Sequence, residues 1–243
     1  MKKRGGASST MTRSSWRCSA AVLLTSVVSA SAPALTHAAP STSAPASASR
    51  HLKFEQVFGE VGEPKTLHFR ADYVSRGAAH KLEVWRDGTE RLVRRTDDAI
   101  EIHADRVAGS PAYRMIVLDL QRKIETRVAR DDMYRIGNFT EWFDLAHGLR
   151  YPKGSYRLTA TAAPEHGPTT IGACRWYLLE QGASMTRVCW SPREHLPLLL
   201  MDDRGSVLWQ VSEISHAAQP ESVFLVRDEG FVRNDASQDI SGD

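Results

Sequence analysis

The stretch that decides the fold is Cys174–Ile214, CRWYLLEQGASMTRVCWSPREHLPLLLMDDRGSVLWQVSEI. It opens with two runs rich in aromatic and branched residues, Cys174–Glu180 and Ser184–Trp190, on either side of Gln181-Gly182. Two such runs around a short turn that contains glycine predict a β-hairpin.

The two cysteines of this stretch face each other in the predicted hairpin. Centring the turn on Gln181 and Gly182 places Cys174 directly opposite Cys189. Opposed residues of an antiparallel pair lie about 4.5–5.5 Å apart at Cα, a separation that a disulfide tolerates. We therefore predict a Cys174–Cys189 disulfide across this hairpin.

Two more strands are predicted to follow the hairpin. Leu196–Met201 is almost entirely apolar, 202–205 (DDRG) is a polar turn, and Val207–Ile214 alternates apolar and polar residues. Alternation with a period of two is typical of strands with one buried face. The whole stretch is thus predicted to be a four-stranded antiparallel meander.

The chain upstream also alternates with a period of two. Leu67–Val74 and His80–Arg86 have this pattern, and Asp87-Gly88 is a typical type I′ turn sequence before Glu90–Thr96. The remaining predicted strands are Ala99–Ala104, Arg114–Leu120, Lys123–Val128 and Tyr156–Ala162. Many alternate positions are charged, so we expect one face of the sheet to be solvated and the other to be covered.

The expected cover is a helix at Asn138–His147, with an upstream turn at Asp131–Ile136. Asn138 and Glu141 have the spacing of a capping box, and Gly148 follows as a stop. Aromatic residues recur at helical spacing within it, which is typical of a helix that packs on an apolar sheet face.

The N-terminus has the features of a secretory signal peptide. Five basic residues precede an apolar stretch at Ala20–Ser29, and 36–38 (THA) offers small residues for cleavage after Ala38. The apolar stretch is shorter than the ~20 residues that span a bilayer. We expect residues 1–38 to be removed and the protein to be periplasmic.

The remaining chain is predicted to be one domain. Residues 39–51 are rich in Ala, Pro and Ser and form a flexible lead-in, 52–227 form a single antiparallel β domain with a helix near 131–148, and 228–243 form an acidic tail. After cleavage the chain carries 26 basic and 29 acidic residues, a net charge of −3, which gives no support to nucleic-acid binding. The two remaining cysteines suit one disulfide in an oxidising compartment.

No catalytic, metal-binding or cofactor motif stands out. The chain lacks G-x-S-x-G, H-E-x-x-H and glycine-rich phosphate loops. His68, His80 and His103 occupy predicted outward strand positions and are expected to be surface histidines rather than zinc ligands. We expect a protein without catalytic activity, metal or cofactor.

Large aromatic side chains are the chemical feature that remains. Six tryptophans and seven phenylalanines are present, many of them on the predicted strands and helix. Such residues either close a core completely or line a cavity for a hydrophobic ligand, and the sequence leaves both alternatives open.

The order of elements resembles a known family. A signal peptide, a long meander, an aromatic helix and the stretch from Trp190 to Ile214, with 196–198 (LPL) and 203–207 (DRGSV), resemble the periplasmic lipoprotein-carrier superfamily that includes LolA, LolB and RseB. The resemblance implies an unclosed β-barrel around one or two helices, whose concave face accepts acyl chains or another lipid. The chain lacks the lipidated cysteine of LolB and is too short for the second domain of RseB.

The resemblance also implies a set of residues that line a hydrophobic ligand cavity. These are Phe69, Tyr73, Trp142, Phe143, Trp176, Leu178, Leu198, Leu200 and Trp209. A slip of one residue in a strand would exchange its two faces, so the set depends on the register. The first hypothesis is a periplasmic binding protein for a lipid, a lipoprotein acyl chain or another hydrophobic ligand. The alternative is a cell-envelope interaction or assembly factor with a filled core and an envelope protein as partner.

Overall fold

The computed structural model of the protein describes residues 51–128 and 141–235. These residues form twelve strands, two short α-helices and one 3₁₀ turn. In chain order the elements are α1 (Phe54–Phe58), β1 (Thr66–Ser75), β2 (Ala78–Asp87), β3 (Arg91–Thr96), β4 (Ile100–Arg106), β5 (Tyr113–Asp119), β6 (Ile124–Val128), α2 (Trp142–His147), β7 (Arg157–Ala160), β8 (Arg175–Gln181), β9 (Ser184–Ser191), β10 (Leu196–Met201), β11 (Val207–Ser215), the 3₁₀ turn (Glu221–Val223) and β12 (Val232–Asp235).

All twelve strands belong to one sheet, in the order β12-β6-β5-β4-β3-β2-β1-β11-β10-β9-β8-β7. The sheet has two edges and is not closed into a barrel, and every neighbouring pair is antiparallel except β12 and β6. The predicted fold class, a curved antiparallel meander covered by one or two helices, is confirmed. Neither helix among the described residues has the length and apolar character needed to cross a membrane.

One face of the sheet, here called the core face, is covered by the two helices. Phe58 of α1 packs edge-to-face on Trp190 of β9, with ring centroids 5.0 Å apart. Leu145 of α2 is fully buried in a second cluster with Leu92 of β3 and Met115 of β5. Aromatic and branched residues at alternate strand positions thus build the core, as their period of two predicts.

The opposite face, here called the outer face, carries cross-strand ion pairs. Arg70 binds Glu83 at 2.8 Å and Glu213 at 3.0 Å, and so joins β2, β1 and β11. Farther along the sheet, Glu101 of β4 binds both Arg95 at 2.6 Å and His103 at 2.8 Å. Opposite charges on neighbouring strands favour the observed register, because directly opposed like charges would repel.

The β8–β9 hairpin has a different turn from the one predicted. Glu180 pairs with Met185 rather than with Ala183, so the turn consists of Gly182 and Ala183. Gly182 has φ +58°, a conformation that glycine adopts at little cost in the first position of a type II′ turn.

The cysteines nevertheless form the disulfide. Cys174 lies one residue before the first paired residue of β8, and its Cα lies 5.3 Å from that of Cys189. The register is shifted by two residues from the predicted one, and a shift of two keeps each side chain on its own face. The two sulfur atoms therefore remain on the same side of the sheet.

The predicted type I′ turn at Asp87-Gly88 is wrong. Asp87 pairs with Arg91, which leaves a three-residue loop between β2 and β3. The next connection is also a three-residue loop, since Thr96 pairs with Ile100, and its two aspartates, Asp97 and Asp98, both have φ +52°. Aspartate tolerates the left-handed region better than most residues, because its short side chain bonds to nearby backbone.

The start of the helix and the extent of the acidic tail also differ from the prediction. Glu141 is the N-cap of α2 and has extended backbone angles, so the helix begins at Trp142 and not after Asn138. Part of the expected acidic tail is a strand, because β12 pairs in parallel with β6. Asn138, the turn at Asp131–Ile136, the signal peptide, most of the lead-in and the end of the tail lie outside the described residues.

Candidate functional site

A cavity of about 890 Å³ lies on the core face among the described residues and is here called the core-face cavity. Three of the nine residues predicted from the family resemblance line it: Tyr73 of β1, Leu200 of β10 and Trp209 of β11. These three strands are neighbours in the sheet, and Trp209 pairs with both Leu200 and Tyr73. The register thus brings them together on one wall.

The rest of that wall is largely apolar. Leu149, Leu179 and Leu208 also line the cavity, from the segment after α2, from β8 and from β11. Phe69 lies behind it, almost fully buried and 6.2 Å from the Trp209 ring. The wall therefore offers the kind of surface that accepts an aliphatic chain.

Gly148 brings the end of α2 close to this wall. It ends the helix with φ +68°, and a Cβ at this position would lie 2.5 Å from the Trp209 ring. Trp209 in turn donates its indole N–H to the Pro197 carbonyl at 2.8 Å. A fixed indole and a glycine are both needed for this close approach.

Three arginines line the same cavity: Arg76, Arg94 and Arg150. Arg94 of β3 is only 5 % exposed, and it donates to the Leu145 carbonyl at 3.4 Å while its guanidinium lies 5.8 Å from the centre of the Tyr73 ring. Arg150 is exposed. Burial lowers the pKa of Arg94, the contact with Tyr73 opposes that shift, and the charge of Arg150 adds to it.

An acidic residue also lines the cavity. Asp144 of α2 is buried, and its carboxylate accepts a hydrogen bond from the Tyr151 backbone N–H at 2.8 Å. Burial raises the pKa of Asp144 from 3.8 to about 6, against the opposing effect of Arg150. The carboxyl group therefore changes its charge near neutral pH.

Two of the predicted residues border a different cavity. Trp142 and Phe143 of α2 line a space of about 490 Å³ at the N-terminal end of the helix, together with Arg106. The Arg106 guanidinium lies 4.3 Å from the centre of the Trp142 ring. The predicted helix thus contributes its aromatic residues to a site other than the core-face cavity.

The remaining three predicted residues do not line the core-face cavity. Trp176 pairs with Cys189 and Leu178 with Arg187, which places both side chains on the outer face. Leu198 lies at a β-bulge between β9 and β10 and lines a third space with Ile214 and Glu194. The buried residues of β8 are instead Tyr177 and Leu179.

The sequence contained a usable signal for Arg94 but little for Asp144. Arg94 has the same phase as Leu92 in β3, so the alternation places it on the core face although charged residues were assigned to the other side. Asp144 depends on how α2 packs on the sheet, which no spacing reveals.

A second polar group lies buried between α2 and the sheet. His147 lies 2.8 Å from Glu63, and Arg86 lies 3.5 Å from the other oxygen of that carboxylate. Burial raises the pKa of Glu63, but the hydrogen bond and charge of His147 and the charge of Arg86 outweigh it and hold the pKa below its usual value. All three side chains are excluded from solvent, so this cluster joins structural elements.

The described residues contain no group of three or more histidine, cysteine, aspartate or glutamate side chains placed to hold a metal ion.

Comparisons with known proteins give only a weak likeness. No family model matches the chain, and no curated protein matches it. Among solved structures, one titled "Crystal structure of MucB" is similar with a TM-score of 0.37 and 15 % identity, over 72 % of this chain and 62 % of that one. The chain thus spans about three fifths of that protein. A TM-score of this size assigns neither a family nor an activity.

Proposed function

We propose that this protein is a periplasmic, non-catalytic binding protein that holds a lipid or another hydrophobic ligand on the core face of its sheet. The observation that carries the proposal is the cavity of about 890 Å³ whose wall includes Tyr73, Leu200 and Trp209. Its size falls in the range of ligand pockets, which is roughly 300–1,000 Å³.

The wall is supported rigidly, as a binding site requires. Trp209 is held by its bond to Pro197 and by the close approach of Gly148. Its neighbours Tyr73 and Leu200 lie on adjoining strands of the same ladder. Residues on rigid strands keep a pocket open, whereas flexible side chains would collapse into it.

The proposed compartment agrees with the covalent chemistry. Cys174 and Cys189 are joined in a disulfide, and disulfides persist in oxidising spaces such as the bacterial periplasm. The signal peptide expected at residues 1–38 would deliver the chain there.

A matched pair of leucine variants tests the site. Leu208 is half-buried and lines the cavity, while Leu178 is half-buried and lies on the outer face. With the apolar fluorescent probe N-phenyl-1-naphthylamine, Leu208→Ser is expected to weaken binding by about tenfold, because a leucine contact is worth roughly 1.5–3 kcal/mol. Leu178→Ser is expected to bind as the wild type does.

Native mass spectrometry of the protein purified from a bacterial periplasm, followed by organic extraction, identifies a natural ligand. A released lipid or fatty acid supports the proposal. Absence of any bound mass, together with no binding of the fluorescent probe, would contradict it and favour an envelope interaction or assembly factor with a filled core.

A further inference from the structure

We infer that the core-face cavity binds an amphiphile whose headgroup is a carboxylate or a phosphate, held by Arg94 and Arg150. This inference rests on the proposed function and specifies the ligand class of the same site. It follows from the chemistry of the cavity wall, which combines apolar side chains with polar and charged groups that include Arg94 and Arg150.

Arg94 and Arg150 line the same cavity. The positive charge of Arg150 acts in the same direction as burial and lowers the pKa of Arg94. An anion between them would oppose this effect and accept charge-assisted hydrogen bonds from both, which are about twice as strong as neutral ones.

The burial of Arg94 strengthens an anion site at this position. A guanidinium that is only 5 % exposed has lost most of its hydration, and an anionic oxygen can replace the water. Its position is also fixed, because Leu145 accepts from it and its guanidinium lies over the Tyr73 ring. Arginine presents its donors in a planar fork, which matches the two oxygens of a carboxylate or phosphate.

The apolar wall makes the ligand an amphiphile rather than a free anion. Leu149, Leu179, Leu200, Leu208 and Trp209 border the same space as the two arginines. A small inorganic anion would leave this surface in contact with water, whereas an aliphatic chain would bury it. The combination of both surfaces in one cavity is the basis of the inference.

Asp144 sets the balance of charge around the headgroup. Its carboxylate shares the cavity with both arginines and interacts with Arg150, Glu141 and Lys153. His80 also borders the cavity, but its ring is bonded to Asp97 at 2.6 Å. Arg76 lines the same cavity, so three arginine charges exceed the single negative charge of Asp144 in the wall.

The test compares amphiphiles that share a twelve-carbon chain and differ in the headgroup. The assay measures how dodecanoate, dodecyl phosphate, monolaurin and dodecyltrimethylammonium displace N-phenyl-1-naphthylamine from the exported protein at pH 7.5, each below its micelle concentration. We expect dodecanoate or dodecyl phosphate to bind about tenfold more tightly than neutral monolaurin, and the cationic compound to bind most weakly.

Variants connect this preference to the two arginines. Arg94→Met and Arg150→Gln are each expected to remove most of the tenfold preference while monolaurin binds as before. Arg150 is exposed, so its variant remains informative if the buried Arg94 variant fails to fold. Arg122→Gln, an exposed arginine beside Asp119, is the control and should keep the preference.

Each outcome decides between the possibilities. Equal binding of anionic and neutral amphiphiles would overturn the headgroup inference and leave the proposed function standing. Binding of none of the four would overturn both. Inorganic phosphate is tested alone, and if it displaces dodecyl phosphate at equal concentration, the ligand is a free anion and the amphiphile inference is wrong.

Discussion

His147 of α2 lies 2.8 Å from Glu63 of the α1–β1 connection, and neither side chain is accessible to solvent. The same carboxylate lies 3.5 Å from Arg86 of β2. One buried carboxylate therefore connects the helix, the N-terminal segment and the sheet. Removing one partner of a buried ionic group leaves the other charges without compensation. The stability of the protein therefore depends on the contact of all three elements at this cluster.

Glu63→Gln is expected to destabilise the protein by about 3 kcal/mol, because the amide leaves the charge of Arg86 buried without its carboxylate. Urea unfolding followed by tryptophan fluorescence measures the loss. Glu213→Gln is the control, since Glu213 is half exposed in its pair with Arg70 and should cost less than about 1 kcal/mol. Equal losses for the two variants would show that the buried cluster has no special role.

Gly148→Ala is expected to destabilise the protein by more than Gly154→Ala. Both glycines have positive φ, +68° and +84°, so both substitutions carry the cost of a left-handed alanine. A Cβ at Gly148 also meets the Trp209 ring at 2.5 Å, while nothing lies within 4 Å at Gly154. Thermal unfolding should show an additional loss of about 1–3 kcal/mol for Gly148→Ala, with altered binding of the apolar probe. Equal losses would mean that the Trp209 ring moves freely.

Asp144→Asn is expected to strengthen the binding of dodecanoate at pH 7.5 by several-fold. The pKa of Asp144 is raised to about 6, so the wild-type carboxylate is ionised at pH 7.5 and repels an anionic headgroup. The amide removes this charge and can still accept from Tyr151. The affinity of the wild type should rise as the pH falls from 7.5 to 6, and that of the variant should change less. Probe displacement at both pH values measures the affinity for dodecanoate. An affinity that is the same in the wild type and in Asp144→Asn would place the headgroup away from Asp144.

Acid is expected to weaken the outer-face pairing at Glu101. The hydrogen bond from His103 and the Arg95 contacts hold the pKa of Glu101 below 4.5, although burial raises it. A carboxyl group with a lowered pKa in the folded state stabilises the protein above its unfolded pKa and loses this contribution as the pH falls through the folded value. Urea midpoints between pH 5 and 3 should therefore fall less steeply for Glu101→Gln than for the wild type. Parallel curves would contradict the assignment.

Reduction of the Cys174–Cys189 bridge is expected to cost about 3 kcal/mol, as for other loops of this length. Free-thiol labelling of the purified protein under denaturing, non-reducing conditions should find no reactive thiol. The matched control is the double variant Cys174→Ala, Cys189→Ala, whose stability should not change on reduction. Two reactive thiols in the wild type would exclude the bridge.

Alternation of apolar and charged residues determined most of the fold. The period of two located most of β1 to β11, because a strand with one buried face must alternate, while β10 was located by its continuous apolar run. The predicted Cys174–Cys189 disulfide is present although the turn was predicted one position too early. A register shift of two residues leaves each side chain on the same face of the sheet. Strand β12 has no such pattern, because it pairs at a sheet edge through backbone hydrogen bonds.

The composition of the candidate site was decided only by the tertiary structure. Tyr73, Leu200 and Trp209 meet because β10, β11 and β1 are neighbours. The bulge in β10 places Leu198 elsewhere, and the phase of β8 places Trp176 and Leu178 on the outer face. Arg94 and Asp144 come from elements about fifty residues apart and share a cavity because α2 packs on the core face. A period along one strand describes which residues share a face of that strand. It contains no information on which strand or helix lies beside it, and a cavity exists only between elements.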